Sequence, residues 1–144
     1  MPAFLERMNR AVALGTILAL GWYLIRVVPQ VFSRPLDEVS WKVEMAIAVV
    51  VFVGTLIADI VRAAISNRNE LEEAGVVDDE RDHAAERRGD AWGGHVMHGA
   101  AFIALMLLVL EFEPFWAANA LFVGAMLAGL VSSLVKFLTY RGSV

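Results

Sequence analysis

Apolar residues in this chain are gathered into four long runs instead of being spread at the short intervals of a soluble fold. The runs cover residues 11–28, 41–65, 91–110 and 115–137. Each is close to the roughly 20 residues that a helix needs to cross a bilayer core. Shorter polar stretches with Pro, Gly or Asn separate them. The pattern predicts an all-α integral membrane four-helix bundle, with residues 1–144 forming one domain.

The third apolar run is continuous with a charged helix. No turn signal separates the segment DDERDHAAERRGD, residues 78–90, from the apolar residues that follow it. The uncharged part from Gly99 to Leu110 is too short to cross a bilayer, so the span must begin near Ala91. We therefore expect residues 66–90 to form a loop and a helix outside the membrane, as an extension of the third span.

Composition agrees with a membrane protein and limits the available chemistry. The mean hydropathy is +0.61, with 58% hydrophobic and 19% charged residues, which is not the profile of a soluble domain. The chain has no cysteine, so disulfides and thiolate metal sites are excluded. Carboxylate, imidazole and hydroxyl groups remain.

The distribution of Lys and Arg predicts the orientation. If the N-terminus is cytoplasmic, nine of the 12 basic residues lie on the inner side and three on the outer side. The outer three are Arg26, Arg34 and Lys42. By the positive-inside rule, both termini and the charged helix then face the cytoplasm.

Six polar side chains are predicted to lie at a similar depth in the inner leaflet. They are Asp59, His95, His98, Thr16, Ser132 and Ser133. His95 and His98 are three residues apart, so both can face the bundle. Ionisable residues at this depth are costly and suggest a functional site.

Two interpretations of this inner layer remain open. In one, Asp59 and the two histidines carry protons or hold a ligand, with His95, His98 and Asp59 as the candidate metal ligands. Haem is also conceivable, in a dimer whose subunits each donate one histidine, because two histidines three apart cannot take opposite axial positions. In the other, the layer is an interhelical hydrogen-bond network worth about 0.6 to 2 kcal/mol.

Two further groups of residues are assigned simpler roles. In the outer leaflet, Arg26, Glu44, Glu111 and Glu113 are interpreted as interfacial charges in contact with water, able to pair across helix ends. The fourth span carries the small residues Gly124, Ala125, Ala128 and Gly129, which permit close helix approach within one chain or between two.

The charged helix offers a candidate interaction face. It comprises Asp78, Asp79, Glu80, Arg81, Asp82, Glu86 and Arg88. Acidic residues recur there at four-residue spacing, so the face is either simply solvated or meets a basic partner. The chain has no concentrated basic patch, so direct nucleic-acid binding is not expected.

The DERD string, residues 79–82, followed by Arg88 and Gly89 before a span, resembles a family of small four-span bacterial membrane proteins of unknown function. That resemblance implies the bacterial inner (cytoplasmic) membrane. Some members lie beside genes for small helix-turn-helix regulators, which implies a membrane partner of a transcription regulator. Ala85 and Trp92 depart from the family pattern, and the resemblance says nothing about His95 or His98.

The leading hypothesis is a small inner-membrane protein, homodimeric, with an interaction or regulatory role through its charged cytoplasmic helix. It requires no cofactor. The first alternative is a proton-coupled or metal-handling transporter that uses Asp59, His95 and His98. The second is a haem- or metal-binding membrane protein. No nucleophile constellation, phosphate loop or metalloprotease motif is present, so we do not expect an enzyme.

Overall fold

Four long helices account for nearly all of the described chain. The structure is a computed structural model that describes residues 4–66 and 80–140, with side chains for residues 9–62 and 83–139. The helices are α1 (Phe4–Ser33), α2 (Trp41–Ser66), α3 (Glu80–Val109) and α4 (Pro114–Tyr140). Within these ranges there is no strand, and all four helices are long and apolar enough to cross a membrane. The prediction of an all-α, multi-pass membrane protein is confirmed at this level.

The first helix is longer than the sequence predicts. We expected a loop from Pro29, but α1 continues through Pro29 to Ser33. Side chains support this last turn, since the Ser33 hydroxyl donates to the Pro29 carbonyl at 2.8 Å. The Gln30 side chain also accepts hydrogen bonds from the backbone N–H and the hydroxyl of Ser40, at 3.1 and 3.0 Å. These bonds connect the end of α1 to the residue before α2.

The helices contact one another in the order α2, α1, α4, α3. The most extensive contact joins α3 to α4, followed by the contact of α1 with α2 and then that of α1 with α4. No comparable contact joins α2 to α3 in the described part of the chain. These two helices therefore lie at opposite ends of a row, which we call the helix row.

The contact between α3 and α4 is built from small residues. A Cβ added at Gly124 of α4 would collide with the Cβ of Ala100 in α3. On the facing side, a Cβ at Gly93 would lie 3.0 Å from the Ala128 carbonyl oxygen. Without these glycines the two helices could not approach so closely. The small residues at positions 124 and 128 of α4 thus pack within one chain.

Larger side chains fill the core around α1. Tyr23 is 1% exposed, and its ring lies 4.7 Å from that of Phe122 in α4. Val27, Ala48 and Met126 belong to the same buried cluster. The core therefore lies where α1 contacts both α2 and α4, at the centre of the helix row.

The connection between α3 and α4 is a tight turn. The N–H of Phe112 donates to the Leu107 carbonyl at 2.9 Å, and that of Glu111 donates to Leu108 at 3.1 Å. Glu111 has φ 58°, the left-handed conformation that ends many helices. Pro114 then occupies the first turn of α4, where a missing N–H costs nothing.

Candidate functional site

The six residues predicted to form the inner polar layer are not brought together. Asp59 belongs to α2, whereas His95 and His98 belong to α3, at the other end of the helix row. Two helices, α1 and α4, lie between them. Among the described residues, no three His, Asp or Glu side chains are grouped so that they could hold a metal ion.

The two imidazoles do not face the other helices. Both His95 and His98 are exposed, so the prediction that they can face the bundle is wrong for the single chain. His98 Nδ1 lies 2.7 Å from the carbonyl oxygen of Gly94, one turn earlier in the same helix. The His95 ring packs edge-on against Trp92, with 6.2 Å between the ring centroids. The three-residue spacing places both rings on one side of α3, and that side faces away from α4.

The hydroxyl residues of the predicted layer each have local roles. Thr16 is buried, and its hydroxyl donates to the Val12 carbonyl of its own helix at 2.8 Å. Ser133 is also buried, and its backbone carbonyl accepts a 2.8 Å bond from the side chain of Asn9. The Ser132 hydroxyl is 3.4 Å from Asp90. These bonds connect α1 and α3 to α4, but they do not extend to Asp59 or the histidines.

An ion pair between a buried glutamate and an exposed arginine joins α1 and α2 near their connection. The Glu44 side chain is 7% exposed, and its Oε1 lies 3.2 Å from Nε of Arg26. Its other oxygen accepts a hydrogen bond from the Trp22 indole N–H at 3.2 Å. Arg26 in turn lies over the Trp22 ring, 5.6 Å from its centroid. The interpretation of Glu44 as an interfacial charge in contact with water is therefore wrong, whereas Glu111 and Glu113 are exposed.

A second polar contact connects α1 to α4. The hydroxyl of Tyr23 donates to Oδ1 of Asn119, and the amide of Asn119 donates to the Phe115 carbonyl at 2.8 Å. Neither residue was among the sequence candidates. An amide and a phenol inside apolar runs are the signal that points to them, because a polar group in a span needs a partner.

The base of the charged helix is fixed against α4. Nζ of Lys136 lies 2.8 Å from Oδ1 of Asp90, with side chains 19% and 69% exposed. Just before this pair, a Cβ at Gly89 would lie 2.8 Å from the Ser132 carbonyl oxygen, so α3 and α4 are in close contact here. Asp90 and Lys136 were not predicted as a pair, since spacing alone does not align two antiparallel helices.

This ion pair lies towards one end of the two candidate spans, His83–Val109 and Pro114–Thr139. About 20 residues of helix cross the bilayer core, and 20 residues before Val109 is close to Asp90. The same count from Pro114 reaches the region of Lys136. By this count, the two helices would reach the edge of a bilayer core at a similar level.

The charged helix beyond this boundary is described in part. α3 begins at Glu80 in the described residues, and it runs without a break into the span. Glu86 is half-buried and Arg88 is exposed. Of the other predicted face residues, the side chains of Glu80, Arg81 and Asp82 lie outside the described part, and so do Asp78 and Asp79 entirely.

Comparison of the chain with family models, with curated proteins and with solved structures found no match. The charged helix and the polar contacts of the helices are therefore the features of this chain that bear on its function.

Proposed function

We propose that the chain is a small protein of the bacterial inner membrane, with both termini in the cytoplasm. Its role is to bind a cytoplasmic protein through the first part of α3, residues 80–90, which we call the α3 extension. The resemblance of the DERD segment makes a transcription regulator the first candidate for that protein. A homodimeric assembly belongs to the proposal, and an enzymatic step does not.

The observation that carries the proposal is the continuity of α3. The helix has 30 residues and is therefore about 45 Å long, whereas the bilayer core needs about 30 Å. About 15 Å of helix remains outside the apolar layer. An interaction surface on this segment moves with the span, because no loop separates the two.

The base of the extension supports a fixed orientation. The Asp90–Lys136 ion pair and the contact of Gly89 with Ser132 hold the base of the extension, at residues 89 and 90, against α4. A helix held in this way loses less conformational freedom when it binds than a free segment would. By sequence spacing alone, Asp82 and Glu86 are four residues apart, the spacing of one helix face.

Charge reversal tests the proposal. The variant Asp82→Lys/Glu86→Lys should lose a protein that crosslinks to the wild-type chain in native membranes and is identified by mass spectrometry. The matched control is Asp37→Lys/Glu38→Lys, which makes the same charge change at two exposed residues in the connection between α1 and α2. Equal crosslinking in both variants would reject the extension as the binding surface.

A further inference from the structure

His98 projects from α3 on the side opposite α4. On the packed side, Gly93 and Ala100 contact α4. His98 follows Gly93 by five residues and precedes Ala100 by two. At about 100° of rotation per residue, His98 therefore lies about 140° around the helix axis from Gly93 and about 200° from Ala100. This agrees with its exposed ring and directs the ring away from the rest of the chain.

The depth of His98 makes this exposure costly. It lies eight residues from Asp90 towards the other surface, which is about 12 Å inside the apolar layer. Ionisable side chains at such depth face a protein interior or a polar partner, because acyl chains offer neither hydrogen-bond donors nor acceptors. Among the described residues, the partner of the ring is the Gly94 carbonyl at Nδ1.

The hydrogen bond that Nδ1 of His98 makes with Gly94 leaves Nε2 as the ring nitrogen without a partner among the described residues. A carbonyl oxygen only accepts, so the 2.7 Å contact with Gly94 requires the proton to be on Nδ1. In the neutral ring, Nε2 then carries a lone pair. This is the arrangement of most metal-binding histidines, whose second ring nitrogen donates to a carbonyl or carboxylate.

The surface beside His98 has room for another molecule. A Cβ added at Gly94 or Gly99 would meet nothing within 4 Å, in contrast to Gly89, Gly93 and Gly124 on packed faces. Gly21 and Gly54 are open in the same way, so the two glycines show only that the space beside the exposed ring is free.

We propose that this face of α3 binds a second copy of the chain, and that Nε2 of His98 from both copies ligates one metal centre. If His98 of both copies carries its proton on Nδ1, the two Nε2 atoms face each other with lone pairs and no proton, so they cannot form a hydrogen bond. A metal ion accepts both lone pairs. This inference does not depend on the proposed role of the α3 extension.

The shared chemistry is imidazole ligation, and two sources of the metal fit it. A haem iron takes one axial His98 from each copy. A bare transition ion such as Zn²⁺ requires four ligands, which His95 and His98 of both copies supply. His95 lies about 60° around the helix from His98, on the same exposed side.

Native mass spectrometry of the full chain in mild detergent tests the centre. The protein is first stripped of metal and then supplied with Zn²⁺ alone or haemin alone. We expect one of the two probes to give a dimer that carries one centre, and haemin is also detected by its absorption spectrum. His98→Ala should lose the bound species and return to the monomer mass. His83→Ala, a histidine outside the span in the same helix, should keep both.

A second pair of variants tests the interface without removing a ligand. Gly94→Leu places a large side chain where the single chain has open space, so the fold remains but the second copy is excluded. Gly54→Leu, at an equally open position of α2, is the matched control and should still dimerise. A wild-type dimer with neither probe bound would overturn the metal centre. A wild-type monomer with both probes would overturn the whole proposal.

Discussion

The carboxylate of Glu44 depends on two donors from α1, because it is buried near the start of α2. Arg26 and the Trp22 indole each contact one of its oxygens at 3.2 Å. An unpaired buried carboxylate is far more costly than an unpaired exposed one. The contact between α1 and α2 is therefore more stable while Arg26 neutralises the buried Glu44.

Removal of Arg26 should destabilise the protein. Because Arg26 is 54% exposed, its environment screens the pair, and we expect Arg26→Ala to cost about 1 to 3 kcal/mol. That is less than the roughly 3 to 5 kcal/mol of a fully buried pair. Unfolding in detergent or lipid measures the loss.

The control for this prediction is Arg34→Ala, which removes an exposed arginine near the same end of α1. The double variant Arg26→Ala/Glu44→Ala should be less destabilised than the sum of the two single variants, because it leaves no buried charge behind. If Arg26→Ala and Arg34→Ala behave alike, the pair contributes nothing to the stability of the fold.

Sequence patterns predict which residues are polar and deep, but not where they point. His98 was predicted as an ionisable residue inside a span, and its direction depends on which side of α3 packs against α4. That side is set by Gly93 and Ala100, whose roles are visible only once α4 is in place. Spacing likewise does not reveal the bond of Thr16 within α1, or the bond from Asn9 of α1 to the Ser133 carbonyl of α4.

At the scale of helices, close approach depends on individual glycines. Gly15 of α1 lies against Thr55 of α2, and Gly124 of α4 lies against Ala100 of α3. Gly54 of α2 contacts nothing within 4 Å of an added Cβ. The same residue type is thus required in one place and dispensable in another.

One methyl group should separate these two cases. Gly124→Ala forces its new Cβ onto Ala100 and should cost about 1 to 3 kcal/mol of stability, as overpacking does. Gly54→Ala, with open space and a better helix former, should be neutral or stabilising by up to about 1 kcal/mol. Thermal unfolding in the same detergent compares the two. A stabilising Gly124→Ala would show that α3 and α4 do not approach so closely.

Each predicted span coincides with one observed helix, apart from a few residues beyond its ends and the charged first part of α3. Apolar runs of this length can be recognised without knowledge of packing. The end of α1 was the exception. Proline is usually taken as a helix breaker. After Pro29, however, the side chains of Gln30 and Ser33 each donate to the backbone carbonyl four residues earlier. Such local compensation is hard to infer from composition alone.

At the scale of the whole molecule, the helix row is the feature that sequence reasoning could not supply. Predicted depth placed Asp59 level with the histidines, but depth does not say which helices are neighbours. The order α2, α1, α4, α3 keeps them at opposite ends of the row. A transport site made of Asp59 and the histidines of one chain therefore finds no support in this arrangement.

Cysteine crosslinking tests the order of the row, and the absence of native cysteine makes the background clean. The pair Gly15→Cys/Thr55→Cys should form a disulfide within one chain, since a Cβ at position 15 would lie 3.4 Å from the Cβ of Thr55, near the spacing that a disulfide needs. Asp59→Cys/His98→Cys should not. Gel mobility after mild oxidation in membranes reads out each pair. An efficient intrachain link between positions 59 and 98 would contradict the row.

The helix row also has a consequence for biosynthesis. Neighbours in sequence are neighbours in space for α1 with α2 and for α3 with α4, and one contact, α1 with α4, unites the two hairpins. Each hairpin can then enter the bilayer with its own packing complete, before the other is translated. We therefore expect the two hairpins to dock after insertion, so that a chain made as two separate polypeptides, cut between α2 and α3, still assembles.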